Sequence, residues 1–116
     1  MTVVEIAGVG MHRFGRFEGV GVTDLGVSAV RGALDEASVG KGGFQAAYCG
    51  TAYGGVATGH KVLGALGMTG MPIVDVEAGC ASGAAALMLG AAAIRGAQYD
   101  TVLVFGVEKM PRGIIR

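Results

Sequence analysis

The residue in this sequence best suited to covalent chemistry is Cys80. It follows a short apolar stretch, residues 73–76, and a turn of small residues, and we expect a helix to begin at or near it and run to residues 95–96. The first turn of a helix carries unpaired N–H groups and the positive end of the helix dipole, and both favour a thiolate over a thiol. Cys80 is therefore a candidate nucleophile, with the alternative that it is a small apolar residue packed at a helix start.

The helix that would position Cys80 has no polar face. Residues 84–94 are only Ala, Leu, Met, Ile and Gly. An ordinary surface helix shows one apolar stripe, so this pattern predicts a helix buried on all sides. The run is also far shorter than the roughly 20 residues that span a bilayer.

The other cysteine and the two histidines give weaker signals. Cys49 falls in or at the end of a predicted strand, where a buried, inert thiol is the usual outcome. His12 and His60 lie in or beside glycine-rich segments and have no Cys, Asp or second His at metal-ligand spacing. The sequence therefore predicts no metal site.

Two carboxylates precede the cysteine. Asp75 and Glu77 flank a single residue, so they point to opposite faces if the strand continues through them and cannot form a carboxylate dyad. We expect Asp75 to be buried and hydrogen-bonded, and Glu77 to line the pocket around Cys80.

Three segments come close to known site motifs without matching them. Residues 8–13, G-V-G-M-H-R, have arginine where a dinucleotide fingerprint needs its third glycine. Residues 54–62 look like a phosphate-binding loop, but His60 separates the glycine from the lysine and Val62 replaces the hydroxyl residue. In residues 79–83, G-C-A-S-G, the serine directly precedes the second glycine, so Ser82 is interpreted as a first-turn helix hydroxyl and not as a nucleophile.

The order of predicted elements gives the fold class. Strands are predicted at residues 3–9, 44–49, 73–76 and 101–105, and helices at 23–38, with Thr23 as N-cap, at 57–66 and at about 80–95. This β-α-β-α-β-α-β order predicts an α/β fold with a mainly parallel sheet. Ligands of such sheets bind at the carboxyl ends of strands, and Cys80 follows one of these ends.

Composition narrows the class of protein. The 116 residues suit one modest domain, and nine basic residues balance nine acidic ones, so nothing indicates nucleic acid or a membrane surface as partner. The N-terminus has no basic region before its apolar part, so no signal peptide is predicted. Two cysteines are too few for a disulfide scaffold, which makes a reducing, cytoplasmic setting the expectation.

Residues 77–87, E-A-G-C-A-S-G-A-A-A-L, resemble the nucleophile motif of thiolases, most closely the sterol-carrier-protein-x and lipid-transfer branch. In the same order, residues 6–15 are similar to that family's opening strand and loop, and residues 25–37 to its first helix. Residues 102–110 resemble the strand and G-x-E-x-M turn that follow the nucleophile helix. The resemblance covers residues 1–116 as a partial, N-terminal thiolase-like domain.

The resemblance implies that the chain forms part of a five-layered αβαβα fold and that it takes part in acyl transfer. Cys80 would accept an acyl group from coenzyme A, which is substrate or product and not a bound cofactor. The reaction would be thiolysis, Claisen-type condensation, or retro-aldol cleavage as in some lipid-transfer relatives. The resemblance also implies a homodimer, and in some relatives a small OB-fold acyl-CoA-binding partner.

Family members take their general base from later segments, so residues 1–116 alone are expected to be inactive, and no substrate-binding residue is assigned. The alternative is a non-catalytic thiolase-fold subunit that works only with a fuller partner. A nucleotide-binding α/β module is a third and weaker hypothesis.

Overall fold

A computed structural model describes residues 2–113 and shows an α/β fold. Its helices and strands, in chain order, are α1 (Val22–Ala37), β1 (Ala46–Gly50), α2 (Thr58–Ala65), β2 (Ile73–Val76), α3 (Ser82–Arg95) and β3 (Val102–Gly106). The strands form a parallel sheet in the order β2-β1-β3. The predicted α/β class with a parallel sheet is therefore confirmed.

Alternate residues of the central strand serve the two faces of the sheet, because successive side chains of a strand point to opposite sides. On one face, Ala47 and Cys49 pack against α1 and α2 and are fully buried. The neighbouring strand contributes Leu103 and Phe105 to the same core. The helices complete this core with a set of aliphatic side chains: Val30, Leu34, Val62, Leu63 and Leu66.

The other face of the sheet is covered by α3, through residues spaced three or four apart along the helix. These residues are all small, namely Ser82, Ala86, Gly90 and Ala93, and all are buried. A β-carbon added at Gly90 would lie 2.7 Å from the Val104 Cγ2 atom. The helix backbone therefore approaches the sheet more closely than larger side chains would permit.

The prediction that α3 is buried on all sides is wrong for the described chain. Leu87, Met88 and Leu89 are 50%, 72% and 45% exposed, and they form what we call the outer face of α3. The helix is apolar on every side, but nothing within residues 2–113 covers the side that carries these three residues. The outer face is an apolar surface beside the candidate nucleophile.

The predicted first strand, residues 3–9, does not join the sheet. Val3 and Ile6 are 77% and 71% exposed, and the segment instead runs along α1. Gly8 and Gly10 allow this contact, since an added β-carbon would lie 2.5 Å from the Ala37 nitrogen and 2.3 Å from the Ala29 oxygen, respectively. A strand requires a neighbouring strand for its backbone hydrogen bonds, and apolar residues alone do not supply one.

The strand at residues 73–76 lies as predicted, and the boundaries of the remaining elements differ from prediction by one or two residues. The largest difference in kind is at α1, which begins at Val22 with Gly21 as N-cap and without a side-chain capping bond, whereas Thr23 was predicted as the cap. Among the described helices, none combines the length and apolarity needed to cross a membrane.

Candidate active site around Cys80

Cys80 lies exposed in a single 3-10 turn, Gly79–Ala81, between the end of β2 and the start of α3. The α-helix begins two residues later than expected, at Ser82. Cys80 thus precedes the first turn of a 14-residue helix, where N–H groups lack intrahelical partners. Its thiol is open to reagents that approach the carboxyl edge of the sheet.

The turn that carries Cys80 is fixed by side chains on both sides of it. The Ser82 hydroxyl accepts a hydrogen bond from the Ala78 N–H at 2.9 Å and donates one to the Gly79 carbonyl at 2.7 Å. The Glu77 carboxylate accepts the Gly79 N–H at 2.5 Å. Gly79 has φ of 59°, a left-handed conformation that suits glycine. The backbone around Cys80 therefore has a defined shape.

Glycines at two strand ends let the first turn of α3 rest directly on the sheet. A β-carbon at Gly50 would lie 2.3 Å from the Ser82 carbonyl oxygen, and one at Gly106 would lie 3.4 Å from the Gly83 Cα atom. Ser82 itself is 4% exposed. These contacts place the start of α3, two residues after Cys80, at the carboxyl ends of β1 and β3, the edge of a parallel sheet where ligands bind.

A neighbouring loop at the same edge is held by Glu108, which follows β3. One of its carboxylate oxygens accepts the Thr51 hydroxyl at 3.2 Å and the Tyr53 N–H at 2.8 Å, and the other accepts the Ala52 N–H at 2.8 Å. The partners are 55 to 57 positions apart in the chain, so sequence reasoning missed this contact. The available signal was a glutamate two residues after the end of the last apolar strand.

The next residue, Lys109, binds the first loop of the chain. Its ammonium group donates hydrogen bonds to the Phe17 carbonyl at 2.8 Å and to the Val20 carbonyl. An open pocket of about 410 Å³ lies here, lined by Val22, Tyr53, Gly54, Lys109, Met110 and Pro111. The segment after β3 therefore organises two separate loops and the surface between them.

Cys49 is confirmed as a buried thiol, with no exposed area. Burial, together with the smaller effect of the nearby carboxylates of Asp75 and Glu108, raises its pKa to about 12. The thiol is therefore protonated near neutral pH and is a poor nucleophile, because the thiolate is the reactive form.

The two carboxylates before Cys80 have separate tasks. Asp75 accepts the Gly59 N–H at 3.0 Å, at the start of α2. It is hydrogen-bonded as expected but exposed, not buried, because β2 is an edge strand of the described sheet. Glu77 is exposed beside the Cys80 turn and binds its backbone.

Neither histidine is brought to Cys80 by a hydrogen bond within residues 2–113. The His12 Nδ1 atom lies 2.8 Å from the Arg13 carbonyl oxygen, and its ring meets Phe17 edge-on at 4.8 Å. His60 is exposed on α2, which packs on the sheet face opposite to α3. In the same described part of the chain, no cluster of three or more His, Cys, Asp or Glu residues could hold a metal ion.

Comparison with known proteins decides the family. Residues 3–114 match the family described as "Thiolase, N-terminal domain". The chain belongs to the thiolase family. The resemblance drawn from residues 77–87 and the ordered segments around them is thereby confirmed. Cys80, the candidate nucleophile, lies within the matched region.

Two relatives illustrate the range of proteins that this thiolase domain is similar to. The "Non-specific lipid-transfer protein-like 2" of Caenorhabditis elegans is 38% identical over 113 residues, which are 95% of this chain and 27% of that protein. The "Acetyl-CoA acetyltransferase" of Methanothermobacter thermautotrophicus is 34% identical over 115 residues, or 95% of this chain and 30% of that protein. The chain thus spans less than a third of either relative.

The fold itself is shared with a solved structure. A priming β-ketosynthase of the R1128 polyketide biosynthetic pathway superposes with a TM-score of 0.69 at 20% sequence identity, covering 77% of this chain and 36% of that one. At this identity the match concerns the fold alone, and it agrees with the α/β arrangement described above.

Proposed function

We propose that this thiolase domain supplies the acyl-accepting cysteine, Cys80, of an enzyme that acts on acyl-CoA thioesters. The observation that carries the proposal is the position of the thiol. Cys80 is exposed on a hydrogen-bonded turn between the carboxyl end of β2 and the start of α3, whereas Cys49 is buried. The printed name of the acetyl-CoA acetyltransferase relative supports an acyl-CoA as the substrate class.

The proposed step is a thioester exchange. The Cys80 thiolate attacks the thioester carbonyl of the acyl-CoA, a new bond forms between the sulfur and the carbonyl carbon, and the bond from that carbon to the CoA sulfur breaks. CoA leaves as its thiolate and takes up a proton, and the acyl group stays on Cys80 as a covalent intermediate. A carbanion or a CoA thiol then accepts the acyl group, which corresponds to condensation or thiolysis.

Turnover needs more than residues 2–113 provide. General acid–base help contributes about 10²–10⁴-fold in rate, and no histidine hydrogen-bonds to Cys80 in the described chain. We therefore propose that the base comes from outside this segment, and that a second thiolase domain or subunit packs on the outer face of α3, as in a homodimer. The isolated chain should accept an acyl group slowly and should not turn over.

The test is acylation of the 116-residue chain by acetyl-CoA, followed by peptide mapping with mass spectrometry. An acetyl group should appear on the peptide that contains Cys80, should be absent in Cys80→Ala, and should persist in Cys49→Ala. Limiting iodoacetamide gives a second readout, since prior acylation should protect Cys80 from alkylation. Absence of acylation, or equal acylation of both cysteines in the folded chain, would contradict the proposal.

A second candidate is a non-catalytic thiolase-fold subunit. The outer face of α3 favours it, because an exposed apolar patch of this kind commonly marks a protein interface. The same alkylation experiment separates the two functions. If Cys80 reacts with iodoacetamide no faster than it does in the unfolded chain and takes no acyl group, the binding subunit is the better explanation.

A further inference from the structure

We infer that Ser82 is a positioning residue for Cys80, holding the turn in the shape that acyl transfer requires. The inference rests on the proposed function of Cys80 as acyl acceptor. Its basis is that the Ser82 hydroxyl bridges two backbone groups on the far side of the cysteine, the Ala78 N–H and the Gly79 carbonyl.

The Ser82 hydroxyl uses both of its capacities in this bridge. A serine hydroxyl donates one hydrogen bond and accepts others, and here it accepts at 2.9 Å and donates at 2.7 Å. Ser82 is only 4% exposed, so water has little access to replace its hydroxyl as a hydrogen-bond partner. Without the hydroxyl, both backbone groups would lose this partner.

Ser82 also connects the turn to the sheet. Its carbonyl oxygen packs so closely on Gly50 that a β-carbon there would lie 2.3 Å away. The backbone of Ser82 is thus fixed by β1, while its hydroxyl fixes the turn of Gly79–Ala81. Cys80 lies between these two anchor points, so its position relative to the sheet is set through Ser82.

Glu77 supplies only one further side-chain hydrogen bond to this turn, to the Gly79 N–H. Loss of the Ser82 hydroxyl would leave Gly79, at φ of 59°, without its side-chain link to the helix. A displacement of about 1 Å at a reacting group is enough to cost roughly 10²-fold in rate. A loosened turn should therefore slow acyl transfer even though the thiol stays exposed.

The experiment compares two reagents on the whole 116-residue chain. In Ser82→Ala, acylation of Cys80 by acetyl-CoA should fall by about tenfold or more, because the thioester must be met in a defined geometry. Alkylation by iodoacetamide should stay close to that of the wild type, since a small reagent can approach from many directions.

Buried Cys49 reports on folding in every sample. If Ser82 only stabilises the fold, Ser82→Ala should make the buried Cys49 reactive towards iodoacetamide, and this result would overturn the inference. An independent perturbation is Gly79→Ala, which strains the turn by its positive φ although an added β-carbon meets nothing within 4 Å. It should slow acylation as Ser82→Ala does, whereas Gly64→Ala, at an open helical position, should not.

The outcomes distinguish this inference from the proposed function. Equal acylation of wild type and Ser82→Ala would refute the role of Ser82 and leave Cys80 as the acyl acceptor. Absence of acylation in the wild type would refute the proposed function, and the inference about Ser82 would fail with it.

Discussion

Replacing Glu108 by glutamine tests whether its second carboxylate oxygen holds the loop at residues 51–54. The substitution keeps the shape of the side chain but exchanges one acceptor oxygen for an NH₂ group, which cannot accept. With the amide oxygen in the position that binds Thr51 and Tyr53, the Ala52 N–H faces another donor. One of three hydrogen bonds is therefore lost, and the other two lose their negative acceptor.

The expected cost follows from these contacts. A hydrogen bond to a charged group contributes about 1.5–3 kcal/mol, and part of this is recovered here because the loop is partly open to water. We expect the free energy of local opening to fall by about 1–2 kcal/mol, which corresponds to roughly 5–30-fold faster amide exchange. The effect should be confined to the amides next to Glu108.

Hydrogen exchange with mass spectrometry on a peptide covering residues 51–57 measures this effect in any oligomeric state. Glu18→Gln is the matched control, since that carboxylate is exposed on the first loop and the substitution should change little. Unchanged exchange in Glu108→Gln would refute the role of the carboxylate. Faster exchange throughout β1 as well would show global unfolding and not local release of the loop.

Three further outcomes follow from packing and burial. Gly50→Ala should push α3 off the sheet and lower the free energy of unfolding in urea by about 1–3 kcal/mol, whereas Gly64→Ala, with open space at its β-carbon, should not. Because the pKa of Cys49 is raised from 9.0 to about 12 on folding, its thiol ionises first in the unfolded chain. The free energy of unfolding should therefore fall as pH rises from 9 towards 12, and Cys49→Ala should remove this part of the dependence. In sedimentation the isolated chain should self-associate through the outer face of α3, and Met88→Gln should weaken that association; a monomeric wild type would contradict it.

Elements with strong local signals were predictable from the sequence. Residues 73–76 are a strand as predicted, and the helix after Cys80 ends at Arg95 as its pattern indicated. The family resemblance was readable from the G-C-A-S-G segment and the segments in order around it. These features depend on neighbours in the chain, which a sequence displays directly.

Features that depend on distant partners were not predictable. Residues 3–9 are mostly apolar, as in a strand, yet a strand pairs with a neighbour that is often distant in the chain, and no strand pairs with them in the described residues. The Glu108 contacts join positions 55 to 57 residues apart, and the Lys109 contacts join positions 89 and 92 apart. The two hydrogen bonds of the Ser82 hydroxyl are local, but they were not predictable because they depend on the left-handed conformation of Gly79.

The adjacent residues Glu108 and Lys109 connect two loops of the surface to the same strand end. One holds the loop after β1 and the other holds the first loop of the chain, and both extend from the same strand end. A displacement of the backbone after Gly106 would therefore carry both loops in one movement. Both sides of the pocket between them are therefore anchored to the segment that follows β3, so a change there affects both loops, whereas a change in one loop affects one side only.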